Sequence, residues 1–324
     1  MPSTTYSSSR RNFLQTSSLA AASVFMPSIL SPIFAQTAST RKFTLCINPG
    51  NIGVKATQKE LLQMAIQHGY ESMSPMPDQL MAFSETERAD FVGQMKAKNI
   101  SWDSTNITVD FRKDERTFRD GLAQLPQYAA VLEKVGATRM NTWISNAHPD
   151  LTYSANFKQH ADRLRASAKV LGHYGVRLGL EYVGPKTSMI RRKYPFMRTM
   201  AEARELIAAI GEPNVGLVLD SFHWYCAEDT IDDILALDKS DIVTCDINDA
   251  RADLSRDEQI DGTRELPGAT GVIDLKAFLG ALVQIGYDGP VRSEPFNQVL
   301  RDMDDQEALK VNYQAMKKSF ALVE

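Results

Sequence analysis

From residue 43 onward the chain repeats one pattern: a short apolar run, a polar break, then a longer segment with apolar residues three and four apart. KFTLCINPG predicts a strand, and TQKELLQMAIQHGY predicts an amphipathic helix ending near Gly69. ESMSPM with ETERADFVGQMKAKNI, and SWDSTNI with DERTFRDGLAQLPQYAAVLEKVGA, make the second and third pairs. TRMNTWI leads into SANFKQHADRLRASAKVLGHYGV, and RLGLEYVG into TMAEARELIAAIG. NVGLVLDSFHWY precedes TIDDILALD, SDIVTCDIND precedes VIDLKAFLGALVQIGY, and GPVRSEPF precedes DQEALKVNYQAMKKSF. Eight strand–helix units in strict alternation predict an α/β fold, a single (β/α)8 TIM barrel over residues 43–324. A doubly wound open sheet is the alternative, but no GxGxxG follows the first strand.

Three connections are longer than the rest: residues 145–153, 183–198 and 249–271. Each follows a strand, which in a barrel puts it on the face where active sites lie. The last two are polar and rich in Arg and Lys. They read as substrate-covering loops, with Lys186, Arg192 and Arg251 as candidate substrate contacts.

Four successive apolar strands end on acids: LGLE on Glu181, LVLD on Asp220, VTCD on Asp246 and VRSE on Glu294. Singly, each reads as a helix N-cap or half of an ion pair. Together, around the mouth of a closed barrel, four carboxylates repel one another unless a positive charge sits between them. Arg292, two residues before Glu294, shares its parity and aims the same way. A divalent cation held by Glu181, Asp220, Asp246 and Glu294 is the expected solution.

These residues carry a resemblance. Glu181 in LEYVGP, the Asp-x-x-His of Asp220 and His223, the DINDA segment and Glu294 in SEPF resemble the xylose isomerase-like sugar phosphate isomerase/epimerase barrels, which include ketose 3-epimerases and inosose dehydratases. The resemblance covers the chain from about residue 43 to its end. It implies one metal bound by Glu181, Asp220 and Glu294, with Glu181 and Glu294 as the catalytic acid and base, and His223 on substrate hydroxyls. Two positions depart. Asp246 stands where relatives carry a ligand His, and Ser74 where many carry Glu. An all-oxygen site favours Mn or Mg over Zn or Co.

The implied chemistry is proton abstraction alpha to a carbonyl through an enediolate, giving sugar isomerisation or epimerisation. A lyase or dehydratase acting on a keto-sugar or oxidised glycoside is the alternative, and a non-catalytic sugar-binding protein a second one. Trp143 and Trp224 are candidate floors for a sugar ring, with core packing equally open. His148 points toward the mouth; His160 and His173 read as helix-surface residues.

Composition narrows the partners. The chain has 324 residues and a formal charge of -4, with no basic run in its body, so a nucleic-acid partner is not expected and a small carbohydrate is. Cys46, Cys226 and Cys245 have no metal-site spacing and read as buried apolar residues. A homo-oligomer is left open. Residues 1–35 read as a twin-arginine signal: Arg10 and Arg11 in SSRRNFLQ, the apolar run SSLAAASVFMPSIL, and a cleavage point after Ala35. The run is too short and interrupted for a stable membrane anchor. Residues 36–42 then form a short linker, and the expected location is the periplasm. Replacing Arg10 and Arg11 together by Lys is expected to abolish periplasmic accumulation in a fractionation assay. Export of the double variant at wild-type level would show that the pair is not read.

Overall fold

The apolar runs are rich in β-branched residues and Leu, which fit a doubly covered parallel sheet. The computed structural model describes residues 41–324; the predicted signal over 1–35, and the linker up to residue 40, lie outside the described residues. The strands are β1 (Thr44–Ile47), β2 (Ser72–Met73), β3 (Ser101–Trp102), β4 (Thr105–Asn106), β5 (Arg139–Ile144), β6 (Arg177–Tyr182), β7 (Val215–Asp220), β8 (Ile242–Ile247) and β9 (Pro290–Ser293). Their spatial order is β3-β2-β1-β9-β8-β7-β6-β5-β4, and the pairings are parallel.

The two ends of that sheet, β3 and β4, belong to one run, SWDSTNI. β3 pairs with β2 and β4 with β5, so the sheet closes on itself through this run. The expected eight-unit barrel is therefore present, with its third strand broken at Asp103 and Ser104. The break has a cause. Asp103 is fully buried and is bonded by Arg292, Thr244 and Ser74, contacts that draw the backbone out of straight pairing.

Helices coat the sheet, among them Gln58–His68, Glu85–Ala97, Glu115–Val135, Tyr153–His173, Met200–Ile210, Leu275–Gln284 and Asp305–Phe320. Thr57 with Glu60, Ser84 with Glu87, and Thr199 with Glu202 form reciprocal capping boxes that fix where three of them begin. The sixth predicted strand is too long. It stops at Asp220, whose Oδ1 accepts the N–H groups of Phe222 and His223 and opens a short helix, Ser221–Ala227. An N-cap therefore converts SFHWY from strand to helix. All three cysteines are buried and free. Among the described residues no helix is long and apolar enough to cross a membrane.

The three long connections lie at the strand C-termini, as expected, and they are tied down. Ala147–His148 and Tyr194–Pro195 form a small antiparallel ribbon joining the loops after β5 and β6. Asn146 Nδ2 donates to Val183 O, Pro185 O and Ser188 Oγ. After β8, the fully buried Asp249 accepts the N–H groups of Thr270, Gly271 and Ile273. One carboxylate thus anchors the far end of a 23-residue loop. Asp249→Ala leaves those three donors and the Ala250 N–H without a partner and is expected to cost about 1–3 kcal/mol. It should also speed amide exchange at those residues; unchanged exchange at Thr270 and Gly271 would show that something else holds the loop.

Candidate active site

A cavity of about 780 Å³ opens at the strand C-termini, lined by Glu181, His223, Asp261, Arg264, Glu294 and Trp143 among others. β6 delivers Glu181, β7 and its helix deliver Asp220 and His223, and the residue after β9 is Glu294. The loop after β8 folds back to add Asp261 and Arg264.

Arg264 sits at the centre of the acids. Its Nη1 donates to Asp220 Oδ2 at 2.8 Å and to Glu294 Oε2 at 3.3 Å, and its Nη2 to Asp261 Oδ1 at 2.8 Å. Burial works against its charge, but Asp220, Asp261, Glu294 and Glu181 outweigh it and hold the guanidinium protonated. Asn248 fixes the two flanking acids. Its Nδ2 donates to Asp220 Oδ2, while its Oδ1 accepts the Glu294 N–H.

Glu181 and Glu294 are the least comfortable carboxylates. Burial pushes Glu294 up to about 8, against the pull of Arg264. Burial, and then the charges of Glu294 and Asp220, raise Glu181 well above the usual range. Glu181 Oε1 is buried without any hydrogen-bond partner. Two buried carboxyl groups, with the charge of Glu294 disfavouring ionisation of Glu181, suit acid–base work, one holding a proton and one taking it.

Burial and the neighbouring Arg264 depress the pKa of His223, so its ring is neutral at pH 7. Two donors face this ring, the Gly184 N–H at Nδ1 and Arg264 Nη2 at Nε2. A neutral imidazole accepts from one of them only. Gly184 is required there, since a Cβ would overlap the His223 carbonyl oxygen.

Asp246 requires a correction. In the barrel register it lies beside Arg292 on one side and Asp220 on the other. Arg292 Nε donates to Asp246 Oδ1 at 2.6 Å and Nη2 to Oδ2 at 3.1 Å, a fork-to-fork pair buried on both sides. Both oxygens are committed, and the structure assigns Asp246 to Arg292 rather than to an ion. The remaining donors do fit one. Glu181, Asp220 and His223 each offer an atom, all within 4.8 Å of one another. Glu181 Oε1 has no partner, while Asp220 Oδ2 is held by Arg264 and Asn248, and an ion would have to take the place of the Arg264 contact. A single divalent metal is plausible at this place. With an imidazole nitrogen in the set, the all-oxygen argument for Mn or Mg over Zn falls away.

The other candidates divide. Arg192 and Trp143 line the cavity, and Trp143 is 49% exposed. His148 lines an adjoining cavity, its Nδ1 accepting the Asp150 and Leu151 N–H groups. Lys186 lies outside, paired at the surface with Glu228 and Asp257, and Arg251 with Asp253. Those two are drawn away by acids on neighbouring loop segments. Trp224 is buried core, its Nε1 donating to Thr230 O. His160 is not a surface residue: it is 2% exposed and wedged between Phe111 and Phe196. Sequence reasoning missed Asp103, Asn248, Asp261 and Arg264. Asn248 and Asp261 sit in segments already flagged, but nothing local marks Arg264 among its loop's arginines.

An α/β barrel with paired acids above a buried guanidinium defines the class, and comparison places the chain within it. A model of the xylose isomerase-like TIM barrel matches residues 62–318, and the chain belongs to that family. It is 25% identical over 272 residues to the inosose isomerase of Bacillus velezensis, covering 82% of this chain and 93% of that one. A xylose isomerase domain protein from Alicyclobacillus acidocaldarius superposes with a TM-score of 0.75 at 29% identity, over 87% of this chain and 99% of the other. The IOLI protein, solved with a zinc atom, shares the fold with a TM-score of 0.71 at 23% identity, over 86% and 98% of the two chains.

Arg264 occupies the donors an ion would use. Arg264→Gln is therefore expected to raise the affinity for Mn or Zn, read by titration calorimetry. Equal or weaker binding would show that the guanidinium and the ion do not compete.

Proposed function

We propose that the chain is a sugar isomerase or epimerase that moves a proton between carbons through an enediolate. The observation that supports this best is that two buried carboxyls raised above their usual range, Glu181 and Glu294, line one cavity. The ionised member takes the proton from the carbon next to a carbonyl. The C–H electron pair becomes the C=C bond and the carbonyl π pair moves onto oxygen, giving an enediolate. For epimerisation the protonated member returns a proton to the opposite face of the same carbon as the carbonyl re-forms. For isomerisation the proton goes to the former carbonyl carbon while the neighbouring hydroxyl proton passes to the former carbonyl oxygen, so that the carbonyl re-forms at the neighbouring carbon. A divalent ion, when bound, polarises the carbonyl and lowers the charge cost of the enediolate. Arg264, aimed at the same acids, supplies fixed positive charge beside the developing oxyanion. His223 orients a hydroxyl.

The relatives of known name are inosose isomerases, which makes cyclic polyol ketones and free ketoses the substrate class to try first. Mn, Mg, Zn and Co are all candidate ions for a mixed carboxylate and imidazole set. The periplasm is the proposed location, on the strength of the arginine pair in residues 1–35 alone.

The test is exchange of substrate C–H protons in heavy water with an inosose and a set of ketohexoses. Glu181→Gln and Glu294→Gln are each expected to lower exchange by about 10²–10⁴-fold, the range for loss of a general acid or base. Metal content is measured beside rate, so that an empty site is not mistaken for a missing base. A loaded Glu294→Gln protein that exchanges like wild type ends the two-glutamate mechanism.

A further inference from the structure

Beside the catalytic cavity lies a second one of about 610 Å³. The two share Trp143, Ser145, Pro149 and Arg192, so they adjoin across the Trp143 ring. Each alone falls within the ~300–1,000 Å³ usual for a small-ligand pocket. One monosaccharide over Glu181 and Glu294 leaves the second cavity without a role.

Trp143 is half exposed yet held firmly. The Arg112 guanidinium stacks on its ring, 4.1 Å from the centroid, and also donates to Thr142 Oγ1 and to the Trp143 carbonyl. An immobilised indole at a cavity junction offers an apolar face to sugar C–H groups with little ordering left to do.

The second cavity also contains polar atoms that lack partners. Asn156 and His160, both on the helix Tyr153–His173, are 1% and 2% exposed and line it. Asn156 Oδ1 and His160 Nε2 have no hydrogen bond, nor does Arg112 Nε. Burial lowers the His160 pKa to about 4, and its Nδ1 faces the Asn156 carbonyl, so the ring is neutral and presents Nε2 as an acceptor. These atoms lie just behind the cavity wall. Buried polar atoms without partners are rare and costly, and a small side-chain rotation that brought them to the wall would let a ligand hydroxyl donate to them.

Charge decides what kind of ligand fits. The ionisable lining balances: Arg112, Lys113 and Arg192 against Asp110, Asp114 and Asp150. A phosphate or uronate site would show an excess of cations. An indole face, unpaired acceptors and a neutral charge balance match a polyol ring.

We propose that the second cavity is a subsite for a neutral sugar ring, so that the substrate is a disaccharide or other glycoside whose carbonyl-bearing ring lies over Glu181 and Glu294. This rests on the carbohydrate reading of the site, and the experiment separates the two. Wild type, Trp143→Ala and His160→Phe are titrated with glucose, maltose, cellobiose, trehalose and inorganic phosphate. At least one disaccharide is expected to bind about tenfold or more tighter than glucose. Trp143→Ala should collapse that ratio toward one, and His160→Phe should lower it with glucose affinity held. Circular dichroism checks that each variant folds. Disaccharides no tighter than glucose, a ratio untouched by either variant, or phosphate as the preferred ligand would each overturn the subsite while leaving the proton-exchange reading standing. Failure of every sugar to bind would overturn the subsite, while the proton-exchange reading is decided separately by the inosose and ketohexose assay.

Discussion

Everything above the barrel floor depends on the Arg292 guanidinium. It spans the interior from β9, pairing with Asp246 on β8 and reaching Asp103 Oδ2 and Ser104 Oγ at the break between β3 and β4. Thr244 and Ser74 complete the Asp103 shell. Two carboxylates and one guanidinium are expensive to bury, and only near-complete hydrogen bonding offsets that. The arrangement closes the barrel where its ladder is weakest. It also removes Asp246 from the chemistry one layer higher, where Glu294 sits two residues nearer the mouth.

The site is thus two tiers of acids, each with its own guanidinium. The lower tier is fixed: Arg292 sits between strands with its donors in place. The upper tier is held by Arg264, which comes from a loop and touches Asp220, Glu294, Asp261 and His223. That difference in origin matters. A strand-borne arginine moves only with the barrel, whereas a loop-borne one can yield to a competing cation or a substrate oxygen. The Asp246 charge has a dedicated partner in Arg292, so it does not burden the acids above it with an unpaired carboxylate.

Alternation, strand parity and acids at strand ends are local signals, and they point to Glu181, Asp220 and Glu294 at one end of the barrel. Glu181 and Glu294 line the cavity there, with Asp220 buried behind them. The parity of Arg292 was equally visible, but its choice of partner was not. Whether Asp246 faces an ion or an arginine depends on register between β8 and β9, which no single strand reveals. Arg264 and Asp103 belong to the same problem, since apart from Asp261 the charged partners named for them are 30 to 189 residues away in sequence. His160 misled for another reason. It reads as a helix-surface residue in sequence, while Phe111 and Phe196 arrive from other loops to cover it. SFHWY looked like strand because aromatic residues favour sheets, and one side-chain oxygen of Asp220 reversed that preference.

The small ribbon between Ala147–His148 and Tyr194–Pro195, with the three bonds from Asn146 Nδ2, stitches two neighbouring loops into one piece. In directed evolution or loop grafting these segments form a single inheritable cassette. Transplanting either one alone would leave the other's backbone unsatisfied, so variation in substrate preference among such barrels is expected to arise by paired changes on both sides of the seam.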